Sequence, residues 1–238
     1  MAKSVRKESS RLLALLPSAD RALLEEHLTD FSSASGKVLH EPGQTIDHIY
    51  FPHSGMISLL TVMNDGRGIE IATVGSEGAV GVITALGSKS AMARAVVQIE
   101  MVASRISRER FLQCVEQSPA ILNLVQRAND AFLGQVQQTA ACNALHQIEA
   151  RLARWLLQSH DRTTGDHVPL TQEFLSEMLA VRRTSVTEVA QALQNEGFIK
   201  YRRGNIEIID RDGLERKACE CYGVVAGQTK KLLSKSFG

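Results

Sequence analysis

The stretch VRRTSVTEVAQALQNEGFIKYRRG, residues 181–204, decides how the rest of the chain is read. Val186, Val189, Ala190 and Leu193 recur at helical spacing and make one apolar face. The outer face keeps Arg183, Thr184, Ser185, Thr187, Glu188 and Gln191, with Arg182 just ahead of it. Upstream, TQEFLSEMLA (171–180) puts Phe174, Leu175, Met178 and Leu179 on a second apolar face, with Thr171 at the N-cap position and the small Ala180 at the turn. Downstream, IKYRRGNIEI (199–208) reads as two short strands around Arg203-Gly204-Asn205, carrying Lys200, Arg202 and Arg203.

Two helices joined by a tight turn and followed by a basic hairpin form a helix-turn-helix layout, whose second helix lies in the DNA major groove. The outer-face residue types suit that place. Arginine pairs with guanine in bidentate fashion, glutamate accepts from cytosine, and Thr or Ser bonds base or phosphate. Thr171 opens a helix N-terminus, a natural phosphate site. Lys200, Arg202 and Arg203 would sit at the backbone as a wing. For the polar stripe taken alone, a solvated helix face explains as much; the turn and the basic hairpin favour DNA.

Working outward, HQIEARLARWLLQSH holds the only tryptophan, Trp155, and GLERKACECYGVVAGQTKKLL reads as one closing helix. Ser118-Pro119 is a helix start, with a capping hydroxyl and proline in the first turn. The helix after it is lightly charged and lines up Leu122, Val125, Ala128 or Asn129, Phe132 and Val136. It either packs on its own domain or pairs with its twin in a homodimer, the second being favoured. From Gly36 to about Ile106 the texture is that of short strands: HIYF, MISLLTVM, IEIATV and RAVVQIEMVA. Turns separate them at Glu41-Pro-Gly43, His53-Ser-Gly55, Asn64-Asp-Gly66 and Gly75-Ser-Glu-Gly78, as in an antiparallel barrel or sandwich. Residues 10 to 30 read as helix interrupted at Pro17.

With 238 residues, 44% hydrophobic and 22% charged, the chain has room for two domains. A net charge of +1 gives no global pull toward nucleic acid, so a basic surface must be local. No segment has the length of a membrane span and the N-terminal apolar run is too short for a signal core, so a cytoplasmic protein without a membrane partner is expected. Cys114, Cys142, Cys219 and Cys221 form no CxxC pair, and no histidine is read at metal-ligand spacing; free thiols are expected, with redox sensing as the alternative.

The chain resembles the bacterial regulators typified by the cyclic-AMP receptor protein and the fumarate-nitrate reduction regulator, the Crp/Fnr family. LHEPGQTIDHIYFPHSGMISLL looks like the opening strands of that family's sensor, RISRERFLQCVEQSP like its last strand and short helix, and LTQEFLSEML with RRTSVTEVAQALQNEGFI like its winged helix-turn-helix. The resemblance implies an α+β chain: a cyclic-nucleotide-binding-like β jelly roll (1–117), a dimerisation helix (118–143) and a winged helix-turn-helix domain (144–238), with 183–195 as recognition helix. It implies a homodimer on a palindromic operator in double-stranded DNA, and RNA polymerase as the further partner of an activator.

By position, Thr171 matches the family's phosphate-contacting helix start and Arg183 its leading recognition-helix arginine. Thr184 stands where members often have glutamate, and Glu188 where they have a second arginine, so the operator is expected to differ from the family's best-known one. In the sensor, the resemblance places Gly78, Ala79 and Gly81 at the ribose-binding turn, and Ala91 and Met92 at the phosphate-clamp positions. Ala79, Ala91 and Met92 supply neither the ribose acceptor nor the phosphate clamp, so cyclic AMP is not expected; Arg94 could substitute only through a register slip. Residues 1 to 30 contain no cysteine for the iron-sulfur branch. His40, His48 and His53 are read as surface or turn residues rather than haem ligands. No enzyme activity is expected. The rival readings are a cupin-like metal or small-molecule enzyme and an interaction module that keeps the winged helix without binding DNA.

Overall fold

The structure is a computed structural model that describes residues 9–202 and 204–234; Arg203, expected at the wing tip, lies outside the described residues. The chain begins with a 3₁₀ turn at Leu13–Leu15 and helix α1 (Ser18–Glu25), separated at Pro17. Helix then gives way earlier than the leucine spacing suggests, because β1 (Thr29–Ser33) already pairs with the long strand β5 (Arg94–Ser107).

The remaining strands of the first sheet are β2 (Val38–His40), β3 (His48–Val62) and β4 (Gly68–Val74). All pairings are antiparallel, in the order β1-β5-β3-β4, with β2 on β5. The expected turn at His53-Ser-Gly55 is instead an irregularity inside the continuous β3. Its register against β5 shifts between Pro52 and Ile57, and Gly55 sits at φ +83° where a Cβ would collide with the Glu100 carbonyl oxygen. Such a bulge lets one strand bend without leaving the sheet. The Asn64-Asp-Gly66 hairpin joins β3 to β4 as expected, with Gly66 at φ +85°.

A short helix α2 (Val82–Leu86) follows β4, and α3 (Arg108–Gln117) follows β5. The long helix α4 (Pro119–Leu145) starts where the sequence predicts, the Ser118 hydroxyl accepting from the Ile121 N–H at 3.1 Å. Its inner face carries Ile121, Leu124, Val125, Gln135, Thr139 and Cys142, all buried. Leu122 and Leu133 project outward. The expected single stripe is therefore split: Val125 faces the protein, Phe132 is half-buried, and the free apolar edge runs through Leu122 and Leu133.

The C-terminal part contains α5 (Ile148–His160), β6 (His167–Pro169), α6 (Gln172–Leu179), α7 (Arg183–Asn195), β7 (Ile199–Arg202), β8 (Asn205–Ile208), α8 (Arg211–Lys217) and α9 (Cys221–Leu233). The single closing helix expected over 213–233 is two helices broken at Ala218–Glu220. Strands β6, β8 and β7 form a second antiparallel sheet. Around the fully buried Trp155, Leu152 and Leu156, the core joins α5, α6 and α7 to Met56, Leu60, Val96 and Ile99 of the first sheet. Burial of this many large side chains, each contributing roughly 1.5–3 kcal/mol, packs the two parts against one another.

Candidate nucleic-acid interface and sensor cavity

Helix α6 is capped by Thr171, whose Oγ1 accepts the Phe174 N–H at 3.2 Å. It ends on Ala180 at φ +51°, a left-handed conformation in which a side chain is costly and a glycine is not. That bend sends the chain into α7, which buries Val186, Ala190 and Leu193 against the core. The opposite face leaves Arg182, Arg183, Thr184, Thr187, Glu188 and Gln191 exposed, with Ser185 half-buried. The structure thus brings the predicted recognition residues onto one free surface.

Gln172 was not singled out in the sequence. Its Oε1 accepts from the Thr187 hydroxyl at 3.1 Å, tying the two helices together, while the same hydroxyl lies 3.0 Å from the Arg183 carbonyl. On β7, Lys200 and Arg202 are exposed while Ile199 turns inward. The hairpin tip returns toward the start of α6: Leu170 N–H donates to the Gly204 carbonyl at 2.8 Å, beside Thr171. Thr171 caps α6, and the exposed Lys200 and Arg202 lie on β7; both elements pack against α7.

A second feature lies where the first sheet meets α4 and α9. A cavity of about 160 Å³ is bounded by β4, the turn and helix around Gly78–Thr84, α4 and α9. Of the predicted pocket residues, Gly78, Ala79, Gly81 and Met92 line it. Ala91 and Arg94 do not belong to its wall. Ala91 is held in backbone bonds to Gly43 and Gln44, and the Arg94 guanidinium pairs with Glu41 at 2.8 Å, so no strand slip turns it inward. The polar groups that do reach the cavity went unread in the sequence. Glu77 and Arg162 form a buried pair at 2.6 Å, and the Gln135 amide meets the Thr73 hydroxyl at 3.1 Å.

Burial pushes the Glu77 carboxyl up. The Arg162 charge and hydrogen bonds, with backbone N–H donors of Glu77 and Gly75, outweigh that and hold it below the usual carboxylate value. The turn GSEG could have flagged Glu77, but nothing local points to Arg162, which arrives from a loop 85 residues away. His40 also borders the cavity; burial lowers its pKa although its Nδ1 lies 3.1 Å from the Ala93 carbonyl. Among the described residues, His40, His48 and His53 belong to no cluster of three or more ligand-type side chains.

The sequence matches two domain models: a cyclic nucleotide-binding domain over residues 31–118 and a Crp-like helix-turn-helix domain over residues 150–217. A regulator's sensor-type β domain joined by a long helix to a helix-turn-helix is the class that this fold defines. The chain belongs to the Crp/Fnr family of transcriptional regulators. Its fold is similar to that of a CRP-family transcriptional regulator from Thermus thermophilus, at 24% identity and TM-score 0.66, covering 80% of this chain and 96% of the other. It is also similar to FixK2 from Bradyrhizobium japonicum (15% identity, TM-score 0.69, 81% and 98% covered). A third similar fold is CLP, the c-di-GMP-responsive global regulator of Xanthomonas campestris (18%, 0.66, 81% and 99%). No curated protein matches the chain. No helix among the described residues is long and apolar enough to cross a membrane.

Proposed function

We propose that the protein is a homodimeric transcriptional regulator, not an enzyme, that binds a palindromic operator through α7. The observation that carries this is the free face of α7, where two arginines, a glutamate, a glutamine and hydroxyls stand together while Val186, Ala190 and Leu193 seat the helix. Arg183 and Glu188 read base edges; Thr171, Lys200 and Arg202 hold phosphates. The edge of α4 through Leu122 and Leu133 meets its twin, which places two copies of α7 about one helical turn of DNA apart. Selection of bound sequences from random DNA by the purified protein tests this. An enriched inverted repeat with that spacing is the expected result, and the absence of any enriched sequence would overturn it.

The cavity is the place for the effector. Its wall is largely apolar, and its one arginine, Arg162, is committed to Glu77. A cyclic nucleotide phosphate would have to break that pair in a buried setting without a replacement cation, which argues for a less charged effector than cyclic AMP. Calorimetry with cyclic AMP should show no binding in the low micromolar range.

A further inference from the structure

Four ligand-type side chains, distant in the chain, meet at the joint between α4 and α9. Cys142 is on the last turn of α4, and His146 is the residue that terminates that helix. Cys219 lies in the break between α8 and α9, and Cys221 opens α9. The reading that no histidine stands at metal-ligand spacing to these cysteines is corrected here. Cys142 and His146 are four residues apart and so share a helix face, and the helix break turns Cys219 and Cys221 toward them.

The three Sγ atoms and the His146 nitrogen all lie within 4.8 Å of one another. Cys142 Sγ is 3.5 Å from Cys219 Sγ, and Cys221 Sγ is 3.5 Å from His146 Nδ1. In a tetrahedral zinc site, bonds of about 2.3 Å to sulfur and 2.0–2.1 Å to nitrogen put neighbouring ligand atoms roughly 3.5–3.8 Å apart. The observed spacing brackets that edge length. The cysteines are buried, whereas the His146 side chain keeps 24% of its surface, which leaves an entry path.

The surroundings match a metal centre as well as the ligands do. With Nδ1 facing the sulfurs, His146 Nε2 lies 3.3 Å from the Glu220 carboxylate, the outer contact that fixes the ligating tautomer. Gln138 donates its amide N–H to Cys221 Sγ at 2.9 Å. Arg151 and Arg154 are buried beside the cluster. Neither has a carboxylate at ion-pair distance among the described residues, and the Nε of each is unbonded, although Glu70 also senses the Arg154 charge. Two buried guanidinium groups call for a compensating negative charge. Three thiolates around a divalent ion carry a net charge of −1.

We propose that Cys142, His146, Cys219 and Cys221 form a mononuclear tetrahedral site for a thiophilic divalent cation of the zinc type, which clamps the end of α4 to α9. Metal binding takes cysteine as the thiolate: the ion and three thiols give a tris-thiolate imidazole complex and three protons, with no change of oxidation state. Because α9 also lines the sensor cavity through Val225, Thr229 and Leu232, the ion would hold in place one wall of the effector site.

The test uses the full-length reduced protein, stripped with chelator and titrated with Co²⁺ and then Zn²⁺, followed by absorption, a chromogenic chelator and released acid. Uptake of one equivalent of Co²⁺ is expected to give the intense d–d and thiolate charge-transfer bands of tetrahedral coordination and to release about three protons, and Zn²⁺ should then displace it with no further release. Cys114→Ser, which alters the cysteine on α3, should leave this unchanged. Cys221→Ser and His146→Ala should abolish the bands or weaken binding by more than tenfold. Glu220→Gln, which keeps all four ligands, should weaken binding about 10–100-fold with the bands retained. Absence of tetrahedral bands in the folded, reduced wild type, their survival in Cys221→Ser, or a Cys142–Cys219 disulfide forming in air without metal uptake by the reduced protein would overturn the proposal. DNA plays no part in these readouts, so they stand or fall independently of the operator assignment.

Discussion

The Trp155 indole N–H donates to the Glu70 carboxylate at 2.8 Å, joining a helix of the C-terminal helix-turn-helix half to a strand of the first sheet. Ser58 donates to the other carboxylate oxygen at 2.5 Å. Burial dominates Glu70 and raises its pKa to about 7, against the lowering effects of Ser58, Arg154, Trp155 and Arg162. The unfolded carboxyl titrates near 4.5. Between those values the folded protein holds a proton that the unfolded chain has lost, so this group's contribution to stability falls as pH rises from about 4.5 through 7.

His40, with its pKa lowered by burial, acts in the opposite sense below 6.5, so the wild-type profile mixes both groups. The variant Glu70→Gln isolates the carboxyl. It should be more stable than wild type at pH 8, by up to about 3 kcal/mol, with the gap closing toward pH 5. Denaturant unfolding at pH 5, 6, 7 and 8 measures this; a pH-independent gap would sink the assignment.

Arg162 and Glu77 make a buried pair whose side chains are 10% and 11% exposed. Removing one partner leaves the other charge buried and unpaired. Arg162→Met should therefore cost about 3 kcal/mol, and adding Glu77→Gln should recover part of it. Chemical denaturation of the two single variants and the double variant checks the cycle. Additive losses would show that the pair is not coupled.

Leu122 and Leu133 on α4 are 37% and 50% exposed, whereas Phe132 borders the cavity. Replacing both leucines by glutamate should yield folded monomers in sedimentation at micromolar concentration. Phe132→Glu should instead lower thermal stability by placing a charge at the cavity wall. Dimers that survive the double leucine variant would count against α4 as the interface.

Arg183→Ala and Glu188→Ala should each cost about 1–3 kcal/mol on the selected operator and relax preference at one or two base pairs per half-site. Lys200→Ala and Arg202→Ala should weaken binding to all sequences and lower the salt slope by about one each. Fluorescence anisotropy with operator and random duplexes at several salt concentrations separates the classes. Equal weakening of both duplexes by Arg183→Ala would remove its base-reading role.

Ala180 carries a side chain at φ +51° in the turn between α6 and α7. Ala180→Gly relieves that conformation and should stabilise the protein by about 1 kcal/mol, read as a rise in Tm. An unchanged or lower Tm would show that the glycine's gain in unfolded-chain entropy cancels the relief.

The features legible in the residues alone are local ones. The 3.6-residue spacing of Val186, Ala190 and Leu193, the Ser118 and Thr171 caps and the Asn64-Asp-Gly66 hairpin are set by neighbours a few residues away, and each is where the residues place it. Packing settled whatever depends on partners far along the chain. It ran β3 through Gly55 because β5 pairs with both halves of it. It turned Phe132 toward the cavity, since a helix face cannot declare which of two apolar neighbours it will meet. It paired Glu77 with Arg162 and Glu70 with Trp155 across 85 residues each, and brought Cys142 and Cys219 together across 77. Burial raises Glu70 and the charge of Arg162 lowers Glu77, and both effects exist only once the two halves of the chain have packed.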